Sequence, residues 1–287
     1  MRALACLALA FVFVALVGCK KTPSAARDGG AAVRVVSISP STTEALFAIG
    51  AGEHVVGRSR YCDYPPEVEK LPQIGGYVDP SYEAILALRP DLVTGARGPS
   101  GTAMSDRLDA RGIGTFFPQT ESFAQIDAMI LGLGDRTGRA AQAKRVVAAL
   151  DAHIEAIEKA VAGRPRVRVL LVFGLEPLSV AGPQGFPDEM IRRAGGTNAV
   201  TEGGGYPPIG VERVMTLDPD VVVNAAMAEH RGVERLNGDT PGWAHVRAVK
   251  ENRVVAIADE SLLRPGPRIA DGLATLAHAL HPEVTVP

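Results

Sequence analysis

Apolar residues along the chain follow two alternating patterns, short β-branched runs and longer segments with helical spacing. The predicted elements are strands over 34–38, 91–94 and 115–117 and helices over 82–88 and 104–111. A further helix is predicted over 40–49, with Ser41 and Glu44 at the spacing of a capping box. Strands that alternate with helices across short loops indicate a largely parallel α/β sheet.

The same succession of residues returns in the second half of the chain. Segment 81–95, SYEAILALRPDLVTG, aligns with segment 210–224, GVERVMTLDPDVVVN, at a constant offset of 129 residues. Each copy contains a glutamate, an apolar helical turn, Leu-x-Pro-Asp and an apolar strand, and the opening strand recurs at 168–172. Because solenoid repeats are far shorter, this repeat predicts two similar lobes, which we assign to residues 33–134 and 164–287.

A segment without glycine or proline, residues 139–162, lies between the two copies. At 1.5 Å per residue it predicts a helix of roughly 36 Å, and we assign the connection to residues 135–163. The expected fold is therefore α/β, with two Rossmann-like lobes joined by one long backbone helix and a ligand cleft between the lobes. The apolar residues that share one face of this helix are Val146, Leu150, Ile154, Ile157 and Val161.

The beginning of the chain has a different pattern. An apolar run over 3–17 is too short to span a bilayer comfortably and is typical of a signal peptide. The small residues before Cys19 resemble a bacterial lipobox. We therefore predict a signal peptide over 1–18, lipidation of Cys19, and a flexible tether over 19–32 that anchors an exported protein to the membrane. The alternative is an ordinary secretory signal with an incidental cysteine.

Composition and motifs narrow the function classes. The formal net charge of −2, from 30 basic and 32 acidic residues, lacks the basic excess of nucleic-acid binders, so we expect no nucleic-acid partner. The chain has no phosphate-binding loop, zinc-protease motif, paired cysteines or nucleophile elbow, and its six histidines lack metal-ligand spacing. We expect no metal, no catalytic residue and no enzyme activity. Cys62 is expected to be a buried or semi-buried thiol.

Several stretches of the chain together carry a family resemblance. They are RVVSISPSTTEALFAIGAG, VVGRSRYCDYPPEV, LPQIGGYVDPSYEAILALRPDLV and RPGPRIADGL. The chain resembles the cobalamin-binding proteins of ABC importers, within the helical-backbone periplasmic binding proteins that also carry haem and ferric siderophores. The resemblance covers roughly residues 33–281. It implies a monomer in the periplasm or on the outer face of the cell membrane. Such a protein captures a corrinoid, has no cofactor of its own, and delivers its ligand to an ABC permease and its ATPase.

The resemblance also implies which residues contact the ligand. Where the family has tryptophans, this chain has Tyr77, Ala96 and Tyr206, so the cleft is less aromatic than usual. Tyrosine offers a flat ring with a polar tip, which suits a wide corrin plate with amide edges. The alternative is that the tyrosines are surface loop residues with satisfied hydroxyls. The positions carried over from the family are Tyr61, Tyr77, Phe173, Tyr206, Glu260 and Arg264.

Glu83 and Glu212 occupy the same place in the two copies of the repeat. Taken alone, each would be a first-turn acid that complements a helix dipole. The resemblance implies instead that each pairs with a permease arginine, one glutamate from each lobe.

Other functions stay open at this point. A haem or ferric-siderophore receptor belongs to the same group of proteins. An exported enzyme or a sensory lipoprotein could use the same cleft, and turnover of a cleft ligand would support the enzyme.

Overall fold

A computed structural model describes residues 33–98, 101–226 and 235–287. The predicted signal peptide, Cys19 and the tether therefore lie outside the described residues. Within the described ranges, no helix combines the length and the apolar character needed to cross a membrane.

The first half of the chain forms a four-stranded sheet in which every strand is parallel to its neighbours. The strand order is β2-β1-β3-β4, so each later strand is reached through a crossover connection. The strands are β1 (Val35–Ser37), β2 (Val55–Arg58), β3 (Leu92–Thr94) and β4 (Gly114–Phe116). The helices are α1 (Pro40–Ala48), α2 (Tyr82–Ala87), α3 (Gly101–Asp109) and α4 (Phe123–Thr137), with one-turn 3-10 helices at Gly52–His54 and Pro66–Lys70.

The second half forms a sheet of the same kind with one added strand. The order is β6-β5-β8-β9, and β7 pairs in parallel with the beginning of β5 while β6 pairs in antiparallel with its end. The strands are β5 (Val167–Leu175), β6 (Leu178–Val180), β7 (Gly196–Asn198), β8 (Val221–Asn224) and β9 (Val254–Ala256). After a connecting helix, α5 (Ala140–Val161), the helices are α6 (Phe186–Arg193), α7 (Val211–Leu217), α8 (Arg247–Lys250) and α9 (Ile269–Leu280), with 3-10 turns at Trp243–His245 and Glu260–Leu262.

The two sheets repeat the same local hydrogen bonds, as the sequence duplication predicts. Asp91, just before β3, accepts a hydrogen bond from the backbone N–H of Arg34 at 2.9 Å. Asp220, just before β8, accepts the equivalent bond from Arg168, also at 2.9 Å. Each arginine side chain also donates to a carbonyl at the end of α2 or α7, at 2.8 and 2.9 Å. The aspartate of each Leu-x-Pro-Asp motif thus fastens the start of the neighbouring strand.

Helix α5 (Ala140–Val161) connects the two sheets and has 22 residues, or about 33 Å of length. The predicted apolar face is confirmed, since Leu150, Ile154, Ile157 and Val161 are buried and Val146 packs against the core. One hydrophobic cluster contains residues of α4, α5 and α9 together with residues of both sheets. The lobes therefore share a core along the connecting helix. The residue boundaries assigned to the lobes stay predictions.

The predicted capping box at the start of α1 is wrong. The helix begins at Pro40, whose fixed φ suits the first helical position, so Ser39 and not Ser41 occupies the N-cap. Glu44 does not reach back to the helix terminus, because its carboxylate is buried against Arg264 and Arg268. Cys62 is fully buried as predicted, with its sulfur 3.1 Å from a threonine hydroxyl of α1.

Candidate functional site

The predicted ligand residues all lie at or beyond the carboxyl ends of strands. Tyr61 and Tyr77 follow β2, Phe173 lies in the last part of β5, and Tyr206 lies between β7 and α7. The segment that carries Glu260 and Arg264 follows β9. Carboxyl ends of parallel strands share one edge of a sheet, which is where ligands of open α/β folds bind.

Tyr77 is held against the loop that follows β3. Its hydroxyl donates a hydrogen bond to the carbonyl of Ala96 at 3.1 Å. Partial burial raises the pKa of Tyr77, and the negative charge of Glu121 raises it further. The phenol is therefore neutral at physiological pH.

Tyr206 and Phe173 form an aromatic pair in the C-terminal lobe. Their ring centroids are 5.5 Å apart with the planes tilted by 57°, a geometry favourable for aromatic contact. Half of the Tyr206 surface is exposed, which leaves ring area available to a ligand. Burial raises the pKa of Tyr206 to about 12, and Glu121 again adds to the shift.

Glu121 is a further candidate for the site, and the sequence analysis did not identify it. It is exposed in the loop between β4 and α4, and its charge acts on tyrosines of both lobes. The Glu121 carboxylate is therefore near enough to influence both Tyr77 of the first lobe and Tyr206 of the second. The only sequence signal for Glu121 is its position after the last strand of the first parallel sheet.

Tyr61 lies after β2, with 52% of its surface accessible. The guanidinium carbon of Arg60 is 5.5 Å from its ring centroid, within the range of a cation–π contact. Arg60 also donates to Asp79 at 2.6 Å, and this bond lowers the pKa of Asp79. About half of the Tyr61 surface is therefore exposed to solvent, beside Arg60, which is already paired with Asp79.

Glu260 and Arg264 belong to a cluster of five charged residues that we call the interlobe ion cluster, completed by Glu44, Asp63 and Arg268. Arg264 donates to Asp63 at 2.6 Å and to Glu44 at 3.2 Å, and it also pairs with Glu260. Arg268 donates two hydrogen bonds of 2.8 Å to the Glu44 carboxylate. Burial opposes the charge on Arg264, but the bond to Asp63 and the other carboxylates outweigh it and raise its pKa. The cluster ties α1 and the loop after β2 to the segment before α9.

Glu83 and Glu212 are both exposed, and each is the second residue of its helix, α2 or α7. The structure therefore presents the two carboxylates at equivalent positions of the two lobes.

Two cavities have none of these tyrosines in their lining. One of about 470 Å³ is lined by residues of the C-terminal lobe, including Glu176, Asp239 and Trp243. The other, of about 430 Å³, is lined by residues of the N-terminal lobe and α4, including Arg97 and Gln125. In the part of the chain that the structure describes, no group of three or more His, Cys, Asp or Glu side chains is placed to hold a metal ion.

The family model for periplasmic binding proteins matches residues 35–260, most of the chain. The chain belongs to this family. The vitamin B12-binding protein of Yersinia pseudotuberculosis serotype O:3 (strain YPIII) is 33% identical over 194 residues, 67% of this chain and 69% of that protein. An uncharacterized ABC transporter substrate-binding lipoprotein, YvrC of Bacillus subtilis (strain 168), is 26% identical over 257 residues, 87% of this chain and 80% of that protein.

Solved structures of periplasmic binding proteins have the same two-lobed fold. The periplasmic heme-binding protein RhuT from Roseiflexus sp. RS-1, in apo form, has a TM-score of 0.77 and 29% identity, covering 88% of this chain and 99% of that one. The periplasmic vitamin B12-binding protein BtuF of Vibrio cholerae has a TM-score of 0.74 and 24% identity, covering 87% of this chain and 96% of that one. At that identity, BtuF shows the fold alone.

Membership of the periplasmic binding protein family confirms the resemblance found in the sequence and the expected fold class. The chain is thus a substrate-binding protein of the ABC transporter class, facing the periplasm or the exterior, in a family of transport proteins and not of enzymes. The six ligand residues and the two docking glutamates stay predictions.

Proposed function

We propose that this protein captures a corrinoid between its lobes and delivers it to an ABC permease and its ATPase. The observation that carries the proposal is the pair of neutral tyrosines, Tyr77 and Tyr206, one from each lobe, with Phe173 packed beside the second. A corrin has broad apolar faces and carboxamide edges. Rigid rings with polar tips match both features at a low cost in side-chain entropy.

The electrostatics of the site favour a corrinoid over haem. A tyrosine binds ferric iron as tyrosinate, and burial together with Glu121 raises the pKa of both Tyr77 and Tyr206. Haem also carries two propionates, which need free positive charge. Arg60 and Arg264 are already paired with carboxylates, and the carboxylate of Glu121 repels an anionic edge.

Haem is the second candidate ligand, because a specific comparison favours it. The heme-binding protein RhuT shares 29% identity with this chain and a TM-score of 0.77. Tyr61, with 52% of its surface exposed, is a further oxygen donor beside Tyr77 and Tyr206. A receptor for haem would use the same cleft and the same delivery to a permease.

Delivery to the membrane is the second part of the proposal. Glu83 and Glu212 stand at equivalent exposed positions of the two lobes, as two-point docking to a two-fold permease requires. The B. subtilis relative named as a lipoprotein supports export and lipidation of Cys19. The protein then acts as a carrier without a cofactor of its own or a chemical step.

Titration of the purified protein with cyanocobalamin, haemin and a ferric siderophore tests the ligand. We expect calorimetry to show one cyanocobalamin bound per chain and much weaker binding of the other two. Tyr206→Phe keeps the ring, so it should change corrinoid affinity by less than about threefold, whereas Tyr206→Leu removes the flat contact and should weaken it up to about tenfold. A haemin complex with the absorbance of tyrosinate-ligated ferric iron, without cyanocobalamin binding, contradicts the corrinoid assignment.

A further inference from the structure

The hydroxyl of Tyr77 has its single proton committed inside the protein. It lies 3.1 Å from the carbonyl oxygen of Ala96, and a carbonyl oxygen can only accept a hydrogen bond. Tyr77 must therefore be the donor. Its raised pKa keeps that proton in place, so the phenol oxygen can offer a ligand only its lone pairs.

The loop that accepts this proton is itself fixed by Ser39. Ser39 is buried at the N-cap of α1, yet its hydroxyl makes no capping bond to its own helix. The oxygen instead accepts a hydrogen bond from the backbone N–H of Ala96 at 2.9 Å, and neighbouring hydroxyls of Ser41 and Thr42 lie at 3.1 and 2.9 Å. The Ser39 hydroxyl therefore fixes the loop after β3 and does not cap α1.

Gly98 also lies against the Tyr77 hydroxyl. A Cβ placed at this glycine would lie 2.3 Å from the phenol oxygen, far inside contact distance. The ring therefore packs directly on the backbone of the loop. With Ala96 and Gly98 both against it, the hydroxyl is held in one orientation before any ligand arrives.

We infer that Tyr77 is a specificity-determining residue whose acceptor-only oxygen selects a ligand edge that donates hydrogen bonds, such as the carboxamide N–H of a corrinoid side chain. An ionised carboxylate edge has no proton to donate and would face a lone pair. The nearby Glu121 carboxylate is also an acceptor and disfavours the same anionic edge. This inference rests on the proposed corrinoid function and adds the chemistry by which the site recognises the side chains at the edge of the corrin ring.

Three corrins that differ only at their edges test the inference: the seven-carboxamide corrin, its heptamethyl ester and its heptacarboxylate. The ester is neutral and lacks donors, so it separates hydrogen bonding from charge. We expect wild-type protein to bind the amide about tenfold more tightly than the ester, the value of one well-formed hydrogen bond. Tyr77→Phe should remove most of that preference by weakening the amide while changing the ester by less than about twofold. Gly98→Ala, which displaces the oxygen without removing it, should also lower the amide-to-ester ratio.

Tyr82→Phe is the matched control, because the Tyr82 hydroxyl also donates to a backbone carbonyl at 3.1 Å but lies on α2, outside the candidate site. It should leave all three affinities unchanged. Corrins that bind wild type without an amide preference, or a Tyr77→Phe variant that weakens amide and ester equally, overturn the inference and leave the proposed function standing. Failure of all three corrins to bind wild type overturns both.

Discussion

Glu44 offers the sharpest test of how the lobes are held together. Its side chain is only 2% exposed and accepts two bonds of 2.8 Å from Arg268 and one of 3.2 Å from Arg264. Glu44→Gln keeps the shape of the side chain but removes its charge. Two guanidiniums of the interlobe ion cluster then lose a buried counter-charge.

The expected cost follows from that burial. Removing one partner of a buried ion pair destabilises a protein by about 3–5 kcal/mol, because the other charge stays buried without compensation. Arg264 and Arg268 are 15% and 25% exposed, so water can reach them in part. Arg264 also keeps Asp63 and Glu260 as partners. We therefore expect the lower end of the range, about 3 kcal/mol, or a fall in Tm of roughly 6–10 °C for a domain of this size.

Thermal and urea unfolding followed by circular dichroism measure this change. Glu53→Gln is the matched control, since Glu53 pairs with Arg139 at 2.6 Å but is 70% exposed, and such surface pairs contribute less than about 1 kcal/mol. Arg268→Met should lower the unfolding free energy less in the Glu44→Gln background than in the wild type, because the effects of residues in contact are not additive. If Glu44→Gln costs no more than Glu53→Gln, the ion cluster does not hold the lobes.

Three further predictions concern other parts of the molecule. Burial and neighbouring carboxylates raise the pKa of Asp127 to about 6, above its unfolded value, so its charged form destabilises the native state. Because Asp127 is only half-buried, solvent screening reduces the full linkage value. Asp127→Asn should therefore leave the unfolding free energy almost unchanged near pH 4 and raise it by on the order of 1 kcal/mol at pH 7.5, and a gain independent of pH contradicts this. Ile157→Ala empties a fully buried position of α5 and should cost about 2–5 kcal/mol in urea unfolding, whereas Glu155→Ala on the exposed face should cost less than about 1 kcal/mol. Substituting arginine for both Glu83 and Glu212 should abolish ligand uptake by cells, while ligand binding measured by calorimetry and Tm stay unchanged. Normal uptake by the double variant contradicts the docking role of the two glutamates.

Much of the fold could be predicted because it depends on local pattern. The helical spacing of apolar residues in α5 matches the face that the structure buries. The repeated Leu-x-Pro-Asp motif precedes an equivalent strand in each sheet. The start of α1 was mispredicted because a capping box is defined by spacing alone. Pro40 fixed the first helical position, and the buried partners of Glu44 come from more than 200 positions away.

The candidate site was only partly accessible from the sequence. Tyrosines in loops after strands carry a visible signal, since aromatic residues are scarce in this chain. For Glu121 the sequence offers only its position after a strand of the first sheet, because its influence on Tyr77 and Tyr206 arises in the folded structure. The pairing of Arg264 with Asp63 likewise joins residues 201 positions apart, which no local pattern encodes.

Amide hydrogen exchange with and without cyanocobalamin tests the central claim, that a corrinoid is held between the two lobes. The account predicts simultaneous slowing of exchange in loops of both lobes, around Tyr61, Tyr77 and Ala96 in the first and Tyr206 in the second. The face of α2 that carries Glu83 should exchange as before. Slowing confined to one lobe, or no change at saturating cyanocobalamin, contradicts the account.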